Sequence, residues 1–265
     1  MRRGSLFVLA FFLASAALFS ETIRVAVFDV ARLGQTPTQN YAALARIMQK
    51  FDIVGCVDVA APLGLDNIMK HMGNEWTSFV ADQPSGRNGA KEYYGYIWKN
   101  GKMRMAQSLG YFSDPKNVFV SKPYGAEFET SDSDFTLVLA HIAGNLAHEV
   151  GHLAEVYDYF LGLVSAGNLI LGGDFGRASG DAFASFLEAE NLDDAAGFSA
   201  KTTIGPHGLL SSDDHIFVNS FTRGSLLKAG SYDYVPDVAS GDYEKARETI
   251  SAHLPIYIEL RLGSE

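Results

Sequence analysis

The chain has one cysteine, Cys56, so it cannot form an internal disulfide. That residue lies inside the apolar run 53–59 and reads as a small buried hydrophobe. No cysteine falls in the first twenty residues, which excludes a lipid-modified N-terminal cysteine there. Runs of Lys or Arg are missing: 21 basic residues stand against 31 acidic ones, a net charge of −10. Tight nonspecific binding of polyanions uses a basic surface, so this balance weighs against it. Pro- or Ser-rich linkers, internal repeats and low-complexity tracts are absent, which favours one domain over several. The N-terminal apolar run, Leu6 to Phe19, falls short of the roughly 20 residues of a membrane span. With Arg2 and Arg3 before it and small residues at Ala14-Ser15-Ala16 or near Ser20, residues 1–20 read as a secretory signal peptide. An exported product follows, periplasmic or extracellular, with no stable membrane insertion after cleavage. Loss of Arg2 and Arg3 takes the charge from −10 to about −12. The remaining chain, 21–265, is long enough to bury a core without staples.

What the chain does have is a mixture of strand and helix periods. Residues 22–30 alternate as a strand ending near Asp29, and 41–50 carry Leu44, Ile47 and Met48 at helical spacing. Residues 51–59 form a near-continuous apolar strand ending near Asp58. Helix is predicted over 65–72, 147–163 and 182–188. Strands are predicted over 93–98, 103–111, 135–141, 168–173, 216–219 and 255–260. The α/β mixture contains both hairpins and βα units. The most informative stretch is Asn168 to Gly176, where apolar residues run into Gly172, Gly173 and the lone acid Asp174. A strand ending this way presents a carboxylate at a sheet rim that a cation or phosphoryl group can approach closely. Asp29, Asp58, His141, Asp174, Asp214 and His253 all adjoin strand-like runs, and six such residues converging on one rim make a site.

A competing pattern is His148-Glu149-Val150-Gly151-His152, which fits H-E-x-x-H. On a helix its imidazoles fall at i and i+4 and can hold zinc, with Glu149 as base and Asp158 as a candidate third ligand. The plain alternative is a solvated helix face carrying His148, Glu149, His152 and Glu155. Opposite it would lie a buried stripe of Val150, Leu153, Val156, Tyr157 and Phe160.

The ordered motifs across residues 22–260 resemble the endonuclease/exonuclease/phosphatase superfamily, and within it the deoxyribonuclease I-like proteins. The segments are Ile23–Asp29, Phe51–Asp58, Gly86-Arg-Asn-Gly-Ala-Lys-Glu-Tyr-Tyr94, Leu137–His141, Leu171-Gly-Gly-Asp174-Phe, Asp213-Asp214-His215-Ile216 and Ser251-Ala252-His253-Leu-Pro255. Glu149, Leu153, Val156 and Tyr157 match the helix that follows the first histidine strand, which places the H-E-x-x-H histidines on an ordinary helix. The resemblance implies a four-layer α/β sandwich, two facing mixed β-sheets with outer helices. It also implies a monomeric metal-dependent phosphodiester hydrolase, most simply a nuclease acting on nucleic acid or another phosphodiester. Its catalytic residues would be His141 with Glu92, His253 with Asp214, and Asp174. Its metal ligands would be Asp58 and Asp29 for Mg²⁺, with Mn²⁺ or Ca²⁺ as alternatives, and Arg87 and Asn88 would bind substrate.

The chain departs from the family pattern where the metal and phosphate are handled. Asp58 stands for the family Glu, Asp29 for an Asn, Gly176 for the Asn after the motif's Asp-Phe, and Ala252 for the Asp before the last His. Ala60 and Ser121 stand where the deoxyribonucleases use phosphate-binding arginines. The metal site is therefore degenerate relative to the pattern, and a weak or inactive homologue serving as a secreted binding protein is the alternative to a working hydrolase. Zinc proteolysis through residues 148–152 is the remote one.

Overall fold

Period-2 burial on both faces fixes the first strand: Val25 and Val27 pack to one side, Ala26 and Phe28 to the other. A computed structural model describes residues 21–87, 89, 91–164, 167–177 and 179–263. The expected signal segment 1–20 and Asn88 lie outside the described residues.

The first half comprises β1 (Glu21–Leu33), α1 (Tyr41–Met48), β2 (Ile53–Val59), α2 (Leu63–Met69), β3 (Trp76–Val80), β4 (Tyr93–Lys99), β5 (Arg104–Tyr111), β6 (Tyr124–Glu129) and β7 (Asp134–His141). There follow α3 (Leu146–Val150), α4 (Leu153–Leu161), β8 (Leu169–Asp174), α5 (Gly180–Glu190), β9 (Leu192–Asp194), β10 (Ile204–Gly205) and β11 (Gly208–Leu209). The chain closes with β12 (Asp214–Asn219), α6 (Ser220–Gly224), β13 (Leu226–Ser231), α7 (Val235–Val238), α8 (Tyr243–Thr249) and β14 (Ile256–Leu262).

Two six-stranded mixed sheets result, ordered β13-β14-β1-β2-β4-β3 and β5-β6-β7-β8-β12-β9, with β10-β11 as a small separate hairpin. They face one another across a dry layer in which Val25, Val27, Ile53 and Tyr96 meet Phe128, Leu137, Leu139 and Ile170. The outer face of the first sheet carries α1, α2, α7 and α8 through Leu44, Ile47, Leu65, Val235 and Ala246. The outer face of the second carries α3, α4 and α5 through Val150, Val156, Phe160, Phe183 and Phe186. This is the four-layer sandwich expected. Glycine sets the spacing between sheets: a Cβ on Gly172 would come within 2.7 Å of Val27 in the facing sheet.

The expected helix over 147–163 is instead two helices. Chain direction changes at His152 (φ −112°, ψ 10°), after α3 has made barely one turn. The α3 axis therefore need not follow the α4 stripe, and Glu149, expected on a solvated face, is 1% exposed. The short strands β3 and β6, the edge strand β13 and the helices α7 and α8 carry no clear period in the sequence.

Candidate active site

The site is built by strand register. Along the rim of the second sheet His141 of β7 pairs with Asp174 of β8, and Asp174 pairs in turn with Asp214 of β12. Three polar residues thus form one row across three neighbouring strands. The first sheet lies over this rim, with β1 against β8 and β2 against β7. Its contributions are Asp29, opposite Val57 in the β1–β2 ladder, and Asp58. Both acids sit at irregularities within strands rather than beyond their ends. The β1–β2 register shifts after Asp29, and Asp58 itself adopts φ 55° at a break in the β2–β4 ladder. A non-glycine residue held there is strained backbone that the surrounding ladder must enforce.

Two histidine–carboxylate pairs flank Asp174. Nδ1 of His141 lies 2.6 Å from Glu92 Oε2, and Nδ1 of His253 lies 2.9 Å from Asp214 Oδ2. With each Nδ1 engaged, Nε2 is the free nitrogen; that of His141 sits 3.7 Å from Asp174 Oδ2. Burial pushes the His141 proton off, but the Glu92 hydrogen bond and charge, with Asp29 and Asp174, outweigh it and raise the ring to about 10. His253 is likewise opposed by burial and held well above its ordinary value by Asp214 and Asp29. The carboxylates thus favour the protonated form of both rings.

The carboxylates are raised as well, here by burial itself. Burial raises Asp29 to about 7 against the pull of the two histidines, with Asp174 and Asp58 adding repulsion. Asp174 is raised to about 6, again by burial first and then by Asp214. Burial also raises Asp58. Local backbone fixes their orientation: Asp29 Oδ1 accepts from Ala31 N (2.7 Å), Asp174 Oδ1 from Gly176 N (2.8 Å), and Asp58 Oδ2 from Arg32 N (2.8 Å). The Ser251 hydroxyl ties the segment leading into β14 to β1, its neighbour in the first sheet. It donates to the Asp29 carbonyl (2.7 Å) and accepts from His253 N (3.0 Å).

A hard divalent cation fits this donor set. Ligand atoms converge within 4.8 Å in three groups: Asp29–His141–Asp174, Asp58–Glu92–His141 and Asp174–Asp214–His253. Glu92 Oε1 and Asp214 Oδ1 are buried without hydrogen-bond partners, acceptors that a cation or its water would satisfy. Asp29 and Asp58 fall in different groups, and Asp58 is engaged by the Arg32 guanidinium at 3.5 Å.

Of the remaining expected residues, Arg87 is half-buried, donating to the Val118 carbonyl at 3.1 Å while its Nε has no partner. The rings of His148 and His152 lie 4.8 Å apart, His152 Nδ1 is 2.9 Å from the His148 carbonyl, and His152 Nε2 is 3.9 Å from Glu155 Oε1. Among the described residues they join no metal-competent group, so the zinc reading has no structural support. Glu149 is instead buried, near Arg87 and His141. Burial raises it to about 6, opposed by the Val120 amide, Arg87 and His141. It was misread because its helix is so short. Arg32 was missed too and carries no periodic or motif signal, while Ser251 lies in the Ser251–Pro255 motif segment but was not singled out for a role.

No family model matches the chain. A deoxyribonuclease of Thioalkalivibrio sp. (strain K90mix) is 26% identical over 285 residues, covering 97% of this chain and 76% of the relative. Deoxyribonuclease-1 of Bos taurus is 24% identical over 286 residues, covering 98% and 100%. Among solved structures, an endonuclease/exonuclease/phosphatase from Bacteroides vulgatus superposes with TM-score 0.63 at 16% identity, over 91% of this chain and 99% of the other. D. rerio TDP2 complexed with single-strand DNA product gives TM-score 0.63 at 15% identity, over 90% and 98%.

Proposed function

From the premise that the chain belongs to the deoxyribonuclease I-like proteins of the endonuclease/exonuclease/phosphatase superfamily, we propose an exported, divalent-cation-dependent phosphodiester hydrolase, most simply a nuclease. The observation that carries it is the in-register row His141–Asp174–Asp214, bracketed by two histidine–carboxylate pairs.

Asp174 is the base. A carboxyl raised to about 6 is ionised at neutral pH yet basic enough to take a proton from an attacking water at Oδ2, while Gly176 N–H holds Oδ1. His141 and His253 present Nε2–H toward the phosphate, where their charges offset the negative charge that builds up in the transition state. His141 gives its Nε2 proton to the departing oxygen. Glu92 and Asp214, each on Nδ1, would orient the two rings and stabilise their protonated form. Asp29 and Asp58, each from its own group of donors, would hold Mg²⁺ or Mn²⁺, which when bound polarises a phosphate oxygen as a Lewis acid. Arg87 would contact the substrate from the far side of His141, steadied by Glu149. Asn88 would also bind substrate. Residues 1–20 would be removed on export, which N-terminal sequencing of secreted protein would establish.

The test is hydrolysis of DNA and of bis(p-nitrophenyl) phosphate with Mg²⁺ or Mn²⁺, alongside His141→Ala. Turnover that needs the cation and is lost in the variant supports the reading. Wild-type rates equal to buffer on both substrates would refute it.

A further inference from the structure

A cavity of about 300 Å³ opens directly beside His253. Its walls come from the β10–β11 hairpin, the segment after β8 and helix α8, and they include Arg177, Thr203, Asp213, Arg247, Ala252 and His253. Arg177 and Arg247 are both exposed, and neither guanidinium makes a hydrogen bond or ion pair with another described residue. In a chain of net charge −10, two guanidiniums lining one cavity beside His253 concentrate positive potential in one place. Ala252 adds no acid to this wall. The single carboxylate present, Asp213, has a buried Oδ1 without a hydrogen-bond partner. It can orient one guanidinium while leaving that group's other edge free for an anion.

We propose that Arg177 and Arg247 form a second anion subsite, which takes a phosphate next to the scissile one on the same substrate. The assignment rests on the phosphodiesterase reading above and narrows it. Guanidinium forks match phosphate oxygens two at a time, so a pair of them suits a phosphate group better than an uncharged sugar or an acyl chain. His253 lies in both the cavity and the reaction centre, so the bound phosphate and the scissile phosphate must belong to neighbouring units of one strand. Such a site selects oligonucleotides over phosphodiesters that carry one phosphate only, such as phospholipid headgroups of that kind. It also explains how an acidic chain without basic runs could hold a polyanion: the contact is local rather than spread over the surface.

The test separates binding from turnover. Calorimetric titration of metal-free protein with a nucleoside 3′,5′-bisphosphate and with the 5′-monophosphate is compared between wild type and Arg177→Ala/Arg247→Ala. At about tenfold per arginine, the worth of one charge-assisted contact, wild type should prefer the bisphosphate by roughly 100-fold. The double variant should bind the two within about threefold, with thermal midpoint and turnover of bis(p-nitrophenyl) phosphate unchanged. Equal preference in wild type and variant overturns the subsite. Arginine-dependent binding without turnover of any diester leaves the subsite standing and removes the hydrolase.

Discussion

Exchanging Glu92 for glutamine isolates the electrostatic half of the His141 pair, because the side chain keeps its size at a 2% exposed position. Its carboxylate holds Nδ1 at 2.6 Å and is the chief influence that raises the ring to about 10 despite burial. A raised histidine value means that the folded state binds this proton more tightly than the unfolded chain does. The associated stability is therefore fully present below about pH 6.5 and drains away as pH climbs through about 10. A displacement of that size corresponds to on the order of 5 kcal/mol. Glutamine removes the charge and can offer an N–H to Nδ1, which turns the tautomer round and puts the proton choice at Nε2 out of the protein's control. Calorimetric unfolding should show Glu92→Gln less stable than wild type by about 3 kcal/mol at pH 7, the low end for breaking a buried pair. The gap should close as both proteins approach pH 10. Turnover of a diester with Mn²⁺ should fall by roughly 10²–10⁴-fold, and the alkaline limb of the rate profile should move down toward the ordinary histidine range. A stability gap that stays constant from pH 7 to 10, or a rate within about threefold of wild type, would refute the reasoning.

Other consequences follow from the same geometry. Asp29, raised to about 7 by burial, must shed its proton to receive a cation, so Mn²⁺ affinity by calorimetry should drop between pH 8 and pH 6. Asp29→Asn should flatten that dependence, and an unchanged slope counts against Asp29 as a ligand. Gly176 has φ 60°, which asparagine tolerates, and the added Cβ would meet only the end of Leu146 at 2.8 Å. Gly176→Asn should thus fold and raise diester turnover by about tenfold or more, the scale of one added preorganised donor; no gain would show that the position is outside the reacting centre. His148→Ala/His152→Ala should leave cation-dependent hydrolysis and zinc content unchanged and shift stability by no more than about 0.5 kcal/mol. Loss of activity there would reopen the H-E-x-x-H reading.

The sandwich was legible because its central strands are buried on both faces: 23–30, 53–59 and 168–174 write nearly unbroken apolar runs, each with an acid at or near its end. What sequence could not give was the geometry around those acids. Nothing in Val57-Asp58-Val59 announces a left-handed residue, nor that Arg32 reaches across to it. Glu149 was placed on the wrong face because a period of 3.6 was carried through 151–152, where the chain bends. Edge elements such as β13 escaped because one-sided burial and polar composition give them no periodic signal. Arg177 and Arg247 lie 70 positions apart in sequence, and only the packing of α8 beside the β10–β11 hairpin brings them to one cavity.

The ladder that aligns His141, Asp174 and Asp214 has a further implication. Side chains alternate faces along a strand, so a slip of β8 by one residue would turn Asp174 toward the outer helices and bring Gly173 into the row. No partial misalignment is available, because the sheet admits only whole-residue steps. Activity should accordingly behave as a digital readout of sheet assembly. Variants that weaken the β7–β8–β12 ladder would lower the fraction of competent molecules while leaving the turnover of each competent molecule intact. Active-site titration against total protein would tell these two cases apart.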